Sequence, residues 1–141
     1  LIFQNLSQEI KGIPYAAERF RKLHVLLGEG NGQQNFVTGL GFCSQSWQFG
    51  NTLKEMKTLD SLELKPSLLK IHTEGTEFSI IKGGLKTIRY HKPCLVYSVY
   101  HKREGFYRDI AEPMMLIPDY NWYFRLHAFQ GTGAFVYGVP Q

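Results

Sequence analysis

The stretch from Leu68 to Tyr100 constrains this chain more than any other. Leu68-Leu69-Lys70-Ile71 has the length and apolar content of a short buried strand, and Gly75 ends it in a turn. Phe78, Ile81, Leu85 and Ile88 then mark one face of a helix over residues 77–90. Gly83-Gly84 lowers helicity in its middle by about 1 kcal/mol per glycine, and permits close approach to a neighbouring element. Pro93 stops the helix, and the apolar run over residues 94–100 reads as the next strand. Strand, helix and strand within about 35 residues make a βαβ unit, which implies parallel strands and a right-handed crossover.

The flanks carry weaker signals. Residues 2–11 read as a helix ended by Gly12 and Pro14, and residues 23–27 as a strand followed by the tight turn Gly28-Glu29-Gly30-Asn31-Gly32. A further short strand is expected over residues 36–38. Residues 39–51 read as a surface loop whose Phe42, Trp47 and Phe49 suggest packing over a pocket. After Tyr100, a helix over residues 107–116 is expected to be interrupted at Pro113. Strands over 122–128 and 134–139, joined by Gln130-Gly131-Thr132-Gly133, predict an antiparallel hairpin. The architecture expected is therefore a parallel α/β unit finished by an antiparallel pair.

Composition excludes several classes. With 141 residues, 43% of them hydrophobic and only 20% charged, the chain is a folded domain and not a disordered tail. No apolar run reaches the roughly 18 residues that a membrane span requires, so no membrane partner is expected. The net charge of +4 comes from basic residues scattered along the chain, which argues against nucleic acid. Two cysteines make no disulfide framework, and Cys94 inside an apolar strand predicts a buried thiol in a reducing, cytoplasmic setting. The chain opens on Leu1 with apolar residues already at helical spacing, and it shows no signal peptide, so it reads as a fragment of something longer.

In open α/β sheets, ligands bind at the carboxyl ends of the strands. His72, Thr73 and Glu74 lie just past one such end, His101 and Lys102 past the next, and Glu29 past the strand over 23–27. On a shared sheet these groups converge on one rim, able to orient a hydroxyl, hold a cationic cofactor or take a proton. The zinc deaminase pattern fails, because Tyr97 stands where its second cysteine is needed. His72, Glu74 and His101 could still hold a divalent metal, but nothing in their spacing enforces that geometry, and no metal is expected. There is no nucleophile elbow, P-loop or dinucleotide fingerprint.

The order of these pieces resembles the FkbM-type methyltransferase family. Thr58-Leu59-Asp60-Ser61-Leu62, the block Lys70 to Glu77 (KIHTEGTE), Ile81-Lys82-Gly83-Gly84, the strand from Pro93 to Tyr100-His101, and Pro118-Asp119-Tyr120 are each similar to a family segment, in the family order. The resemblance implies a Rossmann-like class I methyltransferase sheet, mostly parallel with a C-terminal antiparallel hairpin and truncated at the N-terminus. Residues 1–141 would then be the C-terminal portion of a single methyltransferase domain. It further implies S-adenosyl-L-methionine as cofactor and O-methylation of a hydroxyl on a small molecule, sugar or polyketide-like acceptor.

Carried over position by position, Glu29, Gly28 and His72 are the expected cofactor contacts. His72 and Glu74 are the catalytic pair, and His101 and Lys102 bind substrate. His72 stands where the family has Asp, so a group that donates or accepts near neutrality replaces a fixed anion. That departure favours the alternative of a catalytically inactive binding or scaffold domain. Asp60 and Glu77 are expected to stabilise turns and a helix N-terminus. The family's cofactor loop and acidic strand end are not present among these residues, which alone are therefore expected neither to bind cofactor tightly nor to turn over. No oligomeric state is legible.

Overall fold

The computed structural model describes residues 8–14, 19–39, 49–129 and 133–141. Among the described residues, a helical segment over 8–11 precedes seven strands and three α-helices: β1 (Leu26–Leu27), β2 (Gly32–Phe36), β3 (Thr52–Lys57), β4 (Leu68–Ile71), α1 (Glu77–Lys82), α2 (Leu85–His91), β5 (Cys94–Ser98), α3 (Arg108–Leu116), β6 (Tyr120–Leu126) and β7 (Ala134–Pro140). One sheet has the order β1-β3-β2 and the other β4-β5-β7-β6. Both are mixed. Strands pair in parallel at β1–β3 and β4–β5, and antiparallel at β2–β3, β5–β7 and β6–β7. The βαβ unit and the C-terminal hairpin are as expected. A mostly parallel sheet is not what these pairings make, and β1 does not share a sheet with β4 and β5.

The core lies where the sequence periodicity put it. Ile81 and Ile88 from the helices and Leu95 and Tyr97 from β5 are almost wholly withdrawn from solvent. Ile71, Ile117, Tyr120, Ala134 and Val136 complete the same cluster. Each fully buried aliphatic side chain contributes about 1.5–3 kcal/mol. β5 lies inside the sheet and is buried through Leu95, Tyr97 and Ser98, whereas Leu68 on β4, at the sheet edge, is exposed.

The long helix divides. α1 stops at Lys82 and α2 starts at Leu85, with Gly83-Gly84 between them. The glycines are needed for contact: a Cβ on Gly83 would collide with the backbone carbonyl of Gly28, and one on Gly84 would lie 2.7 Å from Leu59 Cδ2. Gly83 O also accepts the Asp60 amide at 3.0 Å. The Asp60 carboxylate in turn takes the amides of Thr87 (2.8 Å) and Lys86 (3.2 Å), so a residue remote in sequence caps the first turn of α2.

Several expectations change. The strand over 23–27 shrinks to Leu26–Leu27, since only Met56 and Lys57 of β3 align with it. The strand expected over 36–38 lies earlier, over Gly32–Phe36. β3 was invisible in the sequence because Lys54, Glu55 and Lys57 break its apolar pattern, yet it is the middle strand of its sheet. Cys94 is exposed, not buried, because it opens β5 at the surface opposite Leu68. Phe49 is exposed, while Cys43, Phe42 and Trp47, with the hairpin link 130–132 and the helix start over 1–7, lie outside the described residues.

Pro113 does not interrupt its helix. The ring removes the amide that would bond the Asp109 carbonyl one turn earlier. The buried Tyr97 hydroxyl replaces it, donating to Asp109 O at 2.9 Å, and the helix continues through Ile117 N to Pro113 O. Among the described residues, no helix is long and apolar enough to cross a membrane.

Candidate functional site

A buried carboxylate builds the turn after β4. Glu77, the first residue of α1, is 1% exposed. Its Oε1 accepts the Thr73 amide at 3.0 Å and the Ser98 hydroxyl at 2.7 Å, and its Oε2 accepts the Gly75 amide at 2.8 Å. Withdrawing a carboxylate from water is costly unless its lone pairs are used, and here three donors use them. The result is a tight loop in which Thr76 Oγ1 also donates to Thr73 O at 3.2 Å. Glu74 (φ 55°) and Gly75 (φ 97°) are both left-handed. Glycine adopts that conformation freely, whereas for Glu74 it costs on the order of 1 kcal/mol.

The end of β5 supplies the opposite wall. His101 Nδ1 lies 3.3 Å from Glu74 Oε2, and the imidazole is largely buried. Its Nε2 lies 3.5 Å from Glu77 Oε1, outside hydrogen-bond geometry. Tyr100 Oη meets His72 Nε2 at 3.0 Å. The rings of His72 and His101 have centroids 5.0 Å apart, and Phe135 of β7 stands edge-on to His72 at 5.7 Å. Burial first, then the carboxylates of Glu74 and Glu77, raises the Tyr100 pKa above its ordinary value. Tyr100 therefore keeps its proton through and beyond neutral pH.

Of the residues singled out in sequence, the structure brings His72, Glu74 and His101 together, with one donor atom from each inside 4.8 Å. Lys102 lies over the same turn, since a Cβ on Gly75 would meet its Cε at 2.7 Å. Gly28 and Glu29 stand apart. Gly28 is buried under Gly83 and donates its amide to Lys57 O at 3.1 Å. Glu29 pairs with Lys82 at 2.8 Å, at the far end of α1 from Glu77, roughly 8 Å away along the helix. Glu77 and Asp60 act as expected, by holding backbone amides.

Tyr100 and Phe135 belong to the site and were missed as functional residues. Tyr100 looked like the last apolar residue of its strand. Phe135 reaches the rim because β7 pairs beside β5, with Phe135 opposite Ser98, a register that follows only from the hairpin's placement in the sheet.

The model of the methyltransferase FkbM domain family matches residues 16–126. A crystal structure of the methyltransferase FkbM from Methylobacillus flagellatus KT is similar, with a TM-score of 0.72 and 22% identity, over 96% of this chain and 32% of that one. The chain thus spans about a third of that neighbour's length. No curated protein matches it.

Proposed function

The chain belongs to the FkbM methyltransferase family, and from that premise we propose that it contributes the acceptor side of a site for methyl transfer from S-adenosyl-L-methionine to a hydroxyl group. The observation that carries this is the rim itself: His72, Glu74, Tyr100 and His101 gather past the adjacent parallel strands β4 and β5. The two mixed sheets are, in this reading, parts of a Rossmann-like class I sheet, which binds ligands at such strand ends.

The donor set suits a cationic, adenine-bearing cofactor. The Glu74 carboxylate is 35% exposed at the His101 end of the rim, which the Tyr100 and Phe135 rings flank, an environment that attracts a sulfonium. The Glu29 carboxylate, in an exposed pair with Lys82, offers acceptors for the adenine amino group, with Gly28 beneath it. When bound, the cofactor supplies an electrophilic methyl group. The chain's own residues then have three tasks. His72, steadied by Tyr100, takes the acceptor hydroxyl proton. Glu74 and His101 fix the hydroxyl's position through hydrogen bonds. Lys102, exposed beside Gly75, meets polar or anionic substituents of the acceptor. Methyl transfer depends chiefly on alignment, so this small set is sufficient.

The test supplies the full-length protein with S-adenosyl-L-methionine carrying a 13C methyl group and a panel of hydroxylated sugars and polyketide-like acceptors. The expected product is a methyl ether, read from its 13C shift. Absence of labelled product across the panel, with cofactor bound, would favour a binding domain without catalysis. Label on nitrogen or carbon would overturn the hydroxyl as acceptor.

A further inference from the structure

We propose that His72, Glu74 and His101 form a binding site for one divalent transition-metal ion of the zinc class. Two imidazoles and a carboxylate are a donor set that suits such ions, and one donor atom from each lies within 4.8 Å of the others. The three come from two separate segments, the turn after β4 and the end of β5, so the fold and not sequence spacing brings them together.

Their supports match what metal ligands require. A metal-bound histidine characteristically passes its second ring N–H to a carboxylate, which fixes the tautomer and the ring. His101 is built in that way: Nδ1 faces Glu74 Oε2 at 3.3 Å, and Nε2 faces Glu77 Oε1 at 3.5 Å. Nε2 is also a buried polar atom with no hydrogen-bond partner among the described residues. Glu77 is itself locked by Thr73 N, Gly75 N and Ser98 Oγ. A small movement of His101 toward Glu77 would close that bond and leave Nδ1 facing the ion. His72 is steadied through Nε2 by Tyr100 at 3.0 Å. Glu74 is held in a left-handed backbone conformation that only an over-determined turn maintains.

Three protein donors leave coordination positions open. For the role of the ion, the inference rests on the methyl-transfer reading: the acceptor hydroxyl oxygen becomes a further ligand, and the ion makes its proton easier to lose, in place of His72 acting as base.

The full chain, stripped with chelator, is titrated with Zn2+ by calorimetry and with Co2+ by visible absorption. One ion per chain is expected, with d–d bands of low-symmetry N/O coordination. The exposed-site variant His72→Ala and the variant Glu74→Gln each weaken affinity tenfold or more, while Glu77→Gln weakens it by about 10–100-fold through His101. Circular dichroism verifies that each variant is folded, and His72, being exposed, tolerates replacement most easily. Lack of binding in the micromolar range overturns the proposal, as does affinity unchanged in both His72→Ala and Glu74→Gln. Metal binding without methyl transfer would leave this site standing and remove the methyltransferase reading. Methyl transfer by protein that binds no metal would do the reverse.

Discussion

The Ser98 hydroxyl donates to Glu77 Oε1 across 2.7 Å, tying the end of β5 to the first residue of α1. Both residues are buried, and the same carboxylate oxygen holds the turn that carries His72 and Glu74. Replacing Ser98 with Ala removes one of three donors from a buried anion. Urea unfolding should show a loss of about 1–3 kcal/mol. Glu77→Gln should cost at least as much, because an amide nitrogen would then face a backbone N–H at Thr73 or Gly75. Unchanged midpoints in both variants would show that the turn does not depend on this carboxylate.

Tyr97 and Pro113 are coupled through a carbonyl that neither residue owns. Tyr97→Phe strands Asp109 O in the core, for an expected cost of about 1–3 kcal/mol. Pro113→Ala restores an amide able to reach the same oxygen. The double variant should therefore be less destabilised than Tyr97→Phe alone, a coupling that a double-mutant cycle measures directly. Strict additivity would sever the link.

Gly83 holds the β1-β3-β2 sheet against the helices. A methyl group there would strike the Gly28 carbonyl, so Gly83→Ala should destabilise by about 1–3 kcal/mol through forced backbone displacement. Hydrogen exchange should show faster opening of β1 and β3 than of β5. Uniform loss of protection would mean that the two sheets unfold as one.

Two buried phenols set an alkaline limit. Burial, and secondarily the Asp109 charge, raises the Tyr97 pKa far above 10, while burial chiefly, with a contribution from Cys94, pushes Tyr120 up to about 12. Above pH 10 the unfolded chain releases these protons and the native chain retains them. Their stabilising contribution is therefore complete below pH 10 and is lost as pH rises through the folded-state values. The urea midpoint should fall between pH 10 and 12. Tyr120→Phe, which also gives up a 2.8 Å bond to Pro93 O, should flatten that fall.

Much of this fold is legible in the sequence. β4 was placed to the residue, because an apolar tetrapeptide bounded by a turn has few other readings. The hairpin strands and the glycine break in the helix were legible for similar reasons. β3 was not, since a charged strand owes its existence to the neighbours on either side of it. Pro113 misled because the compensating hydroxyl lies 16 positions earlier in the chain, at Tyr97.

Within the site, His72, Glu74 and His101 were found from their positions past the ends of strands. Their mutual approach depends on Glu77, which sequence marked only as a helix-start residue. Glu29 was expected on a shared rim. Its strand belongs to the other sheet, and Lys82 is its partner.

Whether the rim of His72, Glu74 and His101 seats the acceptor is decided by a kinetic comparison of variants. Methyl transfer by the full-length protein is measured for wild type, His101→Ala and Lys65→Ala, the last on an exposed residue remote from the rim. His101→Ala should lower kcat/KM by about 10²-fold or more with cofactor affinity little changed, and Lys65→Ala should leave both intact. Equal kcat/KM for wild type and a folded His101→Ala would place the acceptor elsewhere than this rim.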